Sequence, residues 1–198
     1  MAKPIYSEHM VTHSGIVYKP TDMTPDQIDI EDIAHSLSMQ IRFNGHIKYP
    51  YSVAAHSVLL TQVVAKETTD PTTQLWALLH DAGEAYVSDI PTPIKRLTPE
   101  IAQVEDEILK VIAEKFQLPP QKPKLVGELD KIIAYAEADF LSPNTDFWAN
   151  LHPKDYKYRY KAQWKEMNIN QLIFKLSDKS YAKQQFLYYF NLLTNQRG

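Results

Sequence analysis

The stretch LLHDAGEAYVSDIPTPIK, Leu78–Lys95, places an apolar run directly against His80-Asp81, follows it with Glu84, and closes on an acidic, proline-stiffened loop ending in a lysine. Neighbouring side chains on a helix point about 100° apart. A histidine and an aspartate in succession therefore converge on one object only if it is small and attracts both. A metal ion meets that description. The chain contains no cysteine, so such an ion would be held by nitrogen and oxygen alone.

The surrounding sequence reads as helices separated by proline-rich joints. DIEDIAHSLSMQI opens on Asp29, a residue suited to helix capping, and repeats apolar residues at Ile30, Ile33, Leu37 and Ile41. Ser52 opens SVAAHSVLLTQVVAKE, in which Val53, Leu60, Val63 and Val64 form a buried stripe. Asp70-Pro71 is a helix start, and TQLWALLHDAGEAY continues that helix. Thr98-Pro99 repeats the device ahead of Ile101, Val104, Ile108, Val111 and Ile112, the clearest helical period in the chain. PPQKPK is a joint, and Leu125 to Leu141 forms a further helix carrying Asp130, Glu137 and Asp139. Residues 142–156 read as a surface loop. SYAKQQFLYYFNLLTN reads as a terminal helix that buries Phe186, Tyr189 and Leu192 or Leu193. SGIVYKP, residues 14–20, suggests a short strand with IKYPYS, residues 47–52, as its partner. The expected architecture is an all-α bundle with one small N-terminal hairpin, a single domain over residues 1–198.

Composition narrows the classes of function. An apolar fraction of 44% and a charged fraction of 23% are ordinary for a soluble globular protein. No apolar run approaches the length of a membrane span, and the N-terminus has no basic segment leading into an apolar one, so a soluble, cytoplasmic protein with no membrane partner is expected. A net charge of −3 and a pI near 6.2 give no general attraction to a nucleic-acid polymer. The mixed YKYRYKAQWK, residues 156–165, reads better as a solvated surface anchored by its tyrosines than as a basic binding patch. His9, His13 and His152 read as surface residues; His35 and His46 carry no assignment.

Three of the expected helices contribute metal-ligand side chains amid apolar neighbours: His56, the pair His80 and Asp81, and Asp130. Taken singly, each has an ordinary reading: a hydrogen-bonded core histidine, a chance dipeptide, a surface aspartate. Taken together, two imidazoles and two carboxylates suit a divalent first-row ion with positions left open for water. Burying such groups without partners would be costly.

The ordered pattern His56…His80-Asp81…Asp130 resembles the HD superfamily of metal-dependent phosphohydrolases, which is all-helical. HDAGEAYVSDIPTPIK is similar, almost position for position, to the small HD nucleotidases that act on deoxyribonucleoside 5′-phosphates. DIEDIAHSLSMQIRFNGH…YSVAAHSVLL resembles the phage branch of that group, which includes the dATP triphosphohydrolases of phages that replace adenine with 2-aminoadenine. The resemblance covers roughly residues 12–141, and the last quarter of the chain adds nothing to it.

The resemblance implies roles. His56, His80, Asp81 and Asp130 would be the metal ligands, Asp130 being preferred to Asp139 because LDKIIAY matches the family's context. By ligand chemistry, histidines and carboxylates suit zinc, cobalt, manganese or iron, and a triphosphate substrate would bring additional magnesium on its phosphates. Glu84, three and four residues beyond the metal pair and on their helical face, would activate water or protonate the leaving oxygen. Arg42 and Lys95 would contact phosphate, with Arg96 nearby; each has a solvated surface cation as its alternative. Asp89 would accept a hydrogen bond from the sugar hydroxyl or orient water, unless it only caps its own turn. Pro93 would stiffen a wall against the nucleoside, and Phe43 would stack on a base or join the core. The reaction implied is hydrolysis of dATP to deoxyadenosine and triphosphate in a homo-oligomer, in the cytoplasm of the host cell if the protein is phage-encoded. A 5′-deoxynucleotidase acting on monophosphates is the alternative within this class, and a non-catalytic nucleotide-binding module is the alternative outside it.

Overall fold

The computed structural model describes residues 8–153 and 160–197 and is mostly helical, with one two-stranded hairpin among the described residues. Local capping chemistry sets the starts of the helices that matter most. Asp29 accepts hydrogen bonds from the amides of Glu31 and Asp32 and starts α1 (Ile30–Met39). Ser52 Oγ accepts from the amide of Ala55 and starts α2 (Val53–Glu67). Asp70 accepts from Thr72 and Thr73 ahead of α3 (Pro71–Leu79). In each case the side-chain oxygen satisfies an amide that has no partner inside the helix.

After the short α4 (Glu84–Val87) and α5 (Thr92–Lys95), the long α6 (Pro99–Lys115) follows Thr98-Pro99, although Thr98 makes no side-chain cap. Next come α7 (Lys124–Leu141), α8 (Thr145–Ala149), α9 (Lys161–Glu166), α10 (Ile169–Leu176) and the terminal α11 (Lys179–Asn195).

The expected apolar stripe of α2 proves to be a whole circumference. Every residue from Val53 to Leu60 is fully buried, because α1, α3, α7 and α11 all pack on this helix. A helix that is apolar on every side belongs in the middle of a core, and VAAHSVLLTQVV has that composition. The terminal helix closes the bundle with Phe186 and Leu193 buried, while Leu192 faces outward.

Three local readings are corrected. The strand at Val17–Tyr18 (β2) pairs not with residues 47–52 but with Met10–Val11 (β1), antiparallel. The turn between them closes locally through the amide of Thr12 on the Ile16 carbonyl and through Gly15 at φ +95°, a value that favours glycine. Segment 47–52 supplies only an isolated bridge, Ile41 to Ser52. The helix expected to run through Tyr86 stops at Leu79, and the chain winds on through three-residue turns: Ala82 N to Leu79 O, Glu84 N to Asp81 O and Tyr86 N to Gly83 O. The loop at 142–156 contains α8, and its last three residues lie outside the described ones.

Residues 156–159 of the mixed cationic and aromatic stretch also lie outside the described residues, but Tyr160 and Trp164 are buried and stacked with ring centroids 5.6 Å apart. Among the described residues, no helix is long and apolar enough to cross a membrane.

Candidate metal centre

His56 projects from the central α2 and His80 caps the end of α3, so each ring is held by a packed element rather than by a loop. His56 Nδ1 lies 2.7 Å from Glu137 Oε1, with both side chains fully buried, and His80 Nδ1 lies 2.8 Å from the carbonyl of Ala77. A carbonyl and a carboxylate can only accept, so both rings carry a proton on Nδ1. In the neutral form each ring would present its Nε2 lone pair, and the two Nε2 atoms face each other at 3.2 Å.

Carboxylates complete the constellation. Asp130 Oδ1, from α7, lies 3.1 Å from His56 Nε2 and 3.7 Å from His80 Nε2. Asp81 Oδ2 mirrors it at 3.1 Å from His80 Nε2 and 3.7 Å from His56 Nε2. The ligand atoms of His56, His80 and Asp130 all fall within 4.8 Å of one another, and Asp81 joins them through both imidazoles.

Four electron-pair donors aimed at one small volume repel unless a cation sits among them. Protons can play that part. Burial pulls the His80 imidazolium down, but Asp81 and Asp130 outweigh it and push the group up to about 10. His56 is also raised: Glu137 and Asp130 overcome burial and the nearby Arg42. Asp81 and Asp130 are held well below the usual carboxylate range by the two histidines despite their burial. A divalent ion satisfies the same field, and the donor set, two imidazoles and two carboxylates from three helices, fits one.

The residues around this centre are placed as follows. Glu84 is buried beside it: Oε1 lies 3.5 Å from Lys95 Nζ, and Oε2 has no hydrogen-bond partner among the described residues. Burial, with Asp81 and Asp89 close by, pushes its carboxyl up to about 9. Asp89 is half-buried and is raised by burial against the pull of Arg42. Lys95 is engaged by Glu105 at 2.6 Å. Arg42 is not free either: Nη2 lies 3.3 Å from Glu137 and Nη1 lies 3.7 Å from Asp81. Phe43, with φ +57°, packs edge-on against Trp148 of α8. Pro93 and Arg96 are exposed on and just after α5.

Asp139 stays outside the cluster, 2.9 Å from His152, whose side chain is largely covered rather than at the surface. His13 stacks on His35, and His46 is exposed.

Three site residues escaped the sequence reading. Glu137 sits seven residues after Asp130, two helical turns along the same face of α7. That spacing was the available signal. Gln40 donates to the carbonyl of Glu84 at 2.9 Å and accepts from the amide of Asp89 at 2.8 Å, which fixes the two acidic positions relative to each other. Glu105 holds Lys95, and its backbone carbonyl lies 3.0 Å from where a Cβ on Gly83 would stand. Nothing in the local sequence marks either of these.

No family model matches the chain. It is 35% identical over 127 residues to the uncharacterized protein RCAP_rcc00048 of Rhodobacter capsulatus, an alignment spanning 60% of this chain and 65% of that protein. It is 42% identical over 141 residues to the uncharacterized protein YfdR of Escherichia coli (strain K12), covering 71% of this chain and 76% of the relative. With that identity across that share of the relative, the chain belongs to the family of YfdR.

Proposed function

We propose that the protein is a metal-dependent phosphohydrolase of the HD class that cleaves deoxynucleotides at the α-phosphorus, with dATP as the substrate and deoxyadenosine and triphosphate as the products. The observation that carries this reading is the convergence of two Nε2 lone pairs and two carboxylates from three helices, with both Nδ1 protons fixed and a buried, unpartnered Glu84 oxygen beside them.

His56, His80, Asp81 and Asp130 would hold a divalent ion, zinc, cobalt or manganese, which acidifies water and polarises a phosphoryl oxygen when bound. The attacking water oxygen forms a new bond to the α-phosphorus, and the bond from phosphorus to the sugar 5′ oxygen breaks. Glu84, through Oε2, takes the proton of the attacking water or supplies the one that the leaving 5′ oxygen requires. Arg42 and Lys95 face the negative charge that accumulates on the phosphate. Asp89, fixed by Gln40, is available to a sugar hydroxyl, and Phe43 and Pro93 border the nucleoside.

One observation favours a second reading, the 5′-deoxynucleotidase. Both cations are already committed to carboxylates, Arg42 to Glu137 and Asp81 and Lys95 to Glu105 and Glu84. This leaves little positive charge for three phosphates unless magnesium accompanies them.

The test is a product assay. The metal-loaded protein is incubated separately with dATP, dGTP, dAMP and ATP, and triphosphate, pyrophosphate and phosphate are resolved. Deoxyadenosine with triphosphate from dATP supports the first reading, and phosphate from dAMP alone supports the second. Silence on every substrate in the presence of bound metal would leave a nucleotide-binding module.

A further inference from the structure

The metal-ligand atoms do not end the chain of contacts at this centre. Behind His56 stands Glu137, fully buried, its Oε1 on Nδ1 at 2.7 Å. Its second oxygen lies 3.3 Å from Arg42 Nη2, and Arg42 Nη1 reaches back to Asp81, itself one of the converging carboxylates, at 3.7 Å. The four groups form a closed loop, His56–Glu137–Arg42–Asp81, that begins and ends on ligand atoms and passes through the interior.

Elsewhere the acid would be expensive. A buried carboxylate is tolerated when charged partners and hydrogen bonds offset its desolvation, and here Oε1 is hydrogen-bonded to His56 while Oε2 is ion-paired with Arg42 without a hydrogen bond among the described residues. Among the described residues, the partner of His80 Nδ1 is a backbone carbonyl, that of Ala77. A neutral acceptor fixes a tautomer as well as a carboxylate does, but it adds no charge to the ring. The asymmetry means that Glu137 supplies something that orientation alone does not require.

We propose that Glu137 is a positioning residue that sets the metal affinity of the centre: it fixes the His56 tautomer and makes Nε2 a stronger donor, while Arg42, shared between Glu137 and Asp81, limits the negative charge that builds up around the ion. Arg42 is then part of the frame of the metal centre, whatever contact it also makes with phosphate. The proposal rests on reading the cluster as a metal centre, and its test is kept separate from turnover.

The experiment is calorimetric titration of the metal-stripped full-length protein with Mn²⁺, together with the visible absorption spectrum of the Co²⁺ form, for the wild type, Glu137→Gln and Glu137→Ala. Glutamine keeps an acceptor opposite Nδ1 and removes only the charge; alanine removes both. We expect binding to weaken by about 10- to 100-fold in the alanine variant, the range typical of partners behind ligating histidines. Glutamine should show a smaller loss and an altered Co²⁺ band. Arg42→Lys, which keeps a cation but loses the two-pronged span, should shift affinity by less than Glu137→Ala.

Wild-type affinity and spectrum in a folded Glu137→Gln would overturn the proposal while leaving the metal centre intact, and this variant carries the test if alanine prevents folding. A wild-type protein that binds none of these ions would overturn the metal reading itself, and the role of Glu137 with it.

Discussion

Glu84 is the residue whose environment is hardest to explain structurally. It is a buried carboxyl with one oxygen toward Lys95 and the other toward nothing among the described residues, and its backbone is clamped by Gln40. A group held in place yet left unpartnered costs stability, and such groups concentrate where chemistry needs them. Replacing it with glutamine keeps volume and polarity but removes the proton-transfer capacity. Glu84→Gln should therefore bind Mn²⁺ as the wild type does and lose about 10²- to 10⁴-fold in turnover of the substrate found by product assay. Undiminished turnover would remove Glu84 from the mechanism, and lost metal would make it a ligand. The same scale explains why some of the site was readable and some was not. His56, His80, Asp81 and Asp130 stand out because these residue types are rare in apolar helical sequence. Glu137 and Gln40 take their roles from partners 81, 44 and 49 positions away. A single sequence gives no view of those pairs.

Elements were legible where their determinants are local. The starts of α1, α2 and α3 follow from Asp29, Ser52 and Asp70, each a side chain reaching amides two or three residues on. The interruption after Leu79 was not legible, and neither was the close approach within it, where a Cβ on Gly83 would stand 3.0 Å from the Glu105 carbonyl. The hairpin differs from expectation for a related reason, since residues 47–52 have the composition of a strand but β2 is paired with β1 through a nearer turn. That hairpin is tied to α1 by Asp32, which accepts from the amide of Ser14 at 2.8 Å and from its hydroxyl at 2.7 Å. Burial pushes the Asp32 carboxyl up, but the hydrogen bonds from Thr12 and Ser14 outweigh it and hold the group below its ordinary value. A depressed carboxylate contributes its stability above the unfolded value of roughly 3.9 and loses it as pH falls through the folded one. Protection of the Ser14 amide from hydrogen exchange, corrected for the intrinsic rate, should accordingly fall on acidification below about pH 4. Asp32→Asn should lose about 1.5–3 kcal/mol of stability at neutral pH, the range for hydrogen bonds to a charged group. Unchanged exchange at Ser14 in that variant would show that the hairpin is held by its apolar contacts instead.

For the molecule as a whole, the candidate centre is a junction. α2, α3 with its following turn, and α7 each contribute donors, and α2 is also packed on by α1, α3, α7, α10 and α11. The C-terminal α11 packs against α1, α2 and α3 and so braces two of the elements that meet at this junction. An ion bound there joins helices that are distant in sequence and absent as neighbours in the unfolded chain, so it binds the folded state and raises its stability by mass action. At a free concentration one hundred times its Kd, it contributes about 2.7 kcal/mol. In a chain of 198 residues, each kcal/mol moves Tm by roughly 2–4 °C. Stripping the metal with a chelator should then lower Tm by about 5–10 °C, and restoring Mn²⁺, Co²⁺ or Zn²⁺ should return it, with the largest recovery for the ion that binds most tightly. Glu84→Gln should show the same shift as the wild type, because in the proposed mechanism Glu84 moves a proton and is not a ligand. A Tm indifferent to both chelator and added ion would mean that protons alone hold the two histidines among their carboxylates, and the hydrolase reading would lose the observation that carries it.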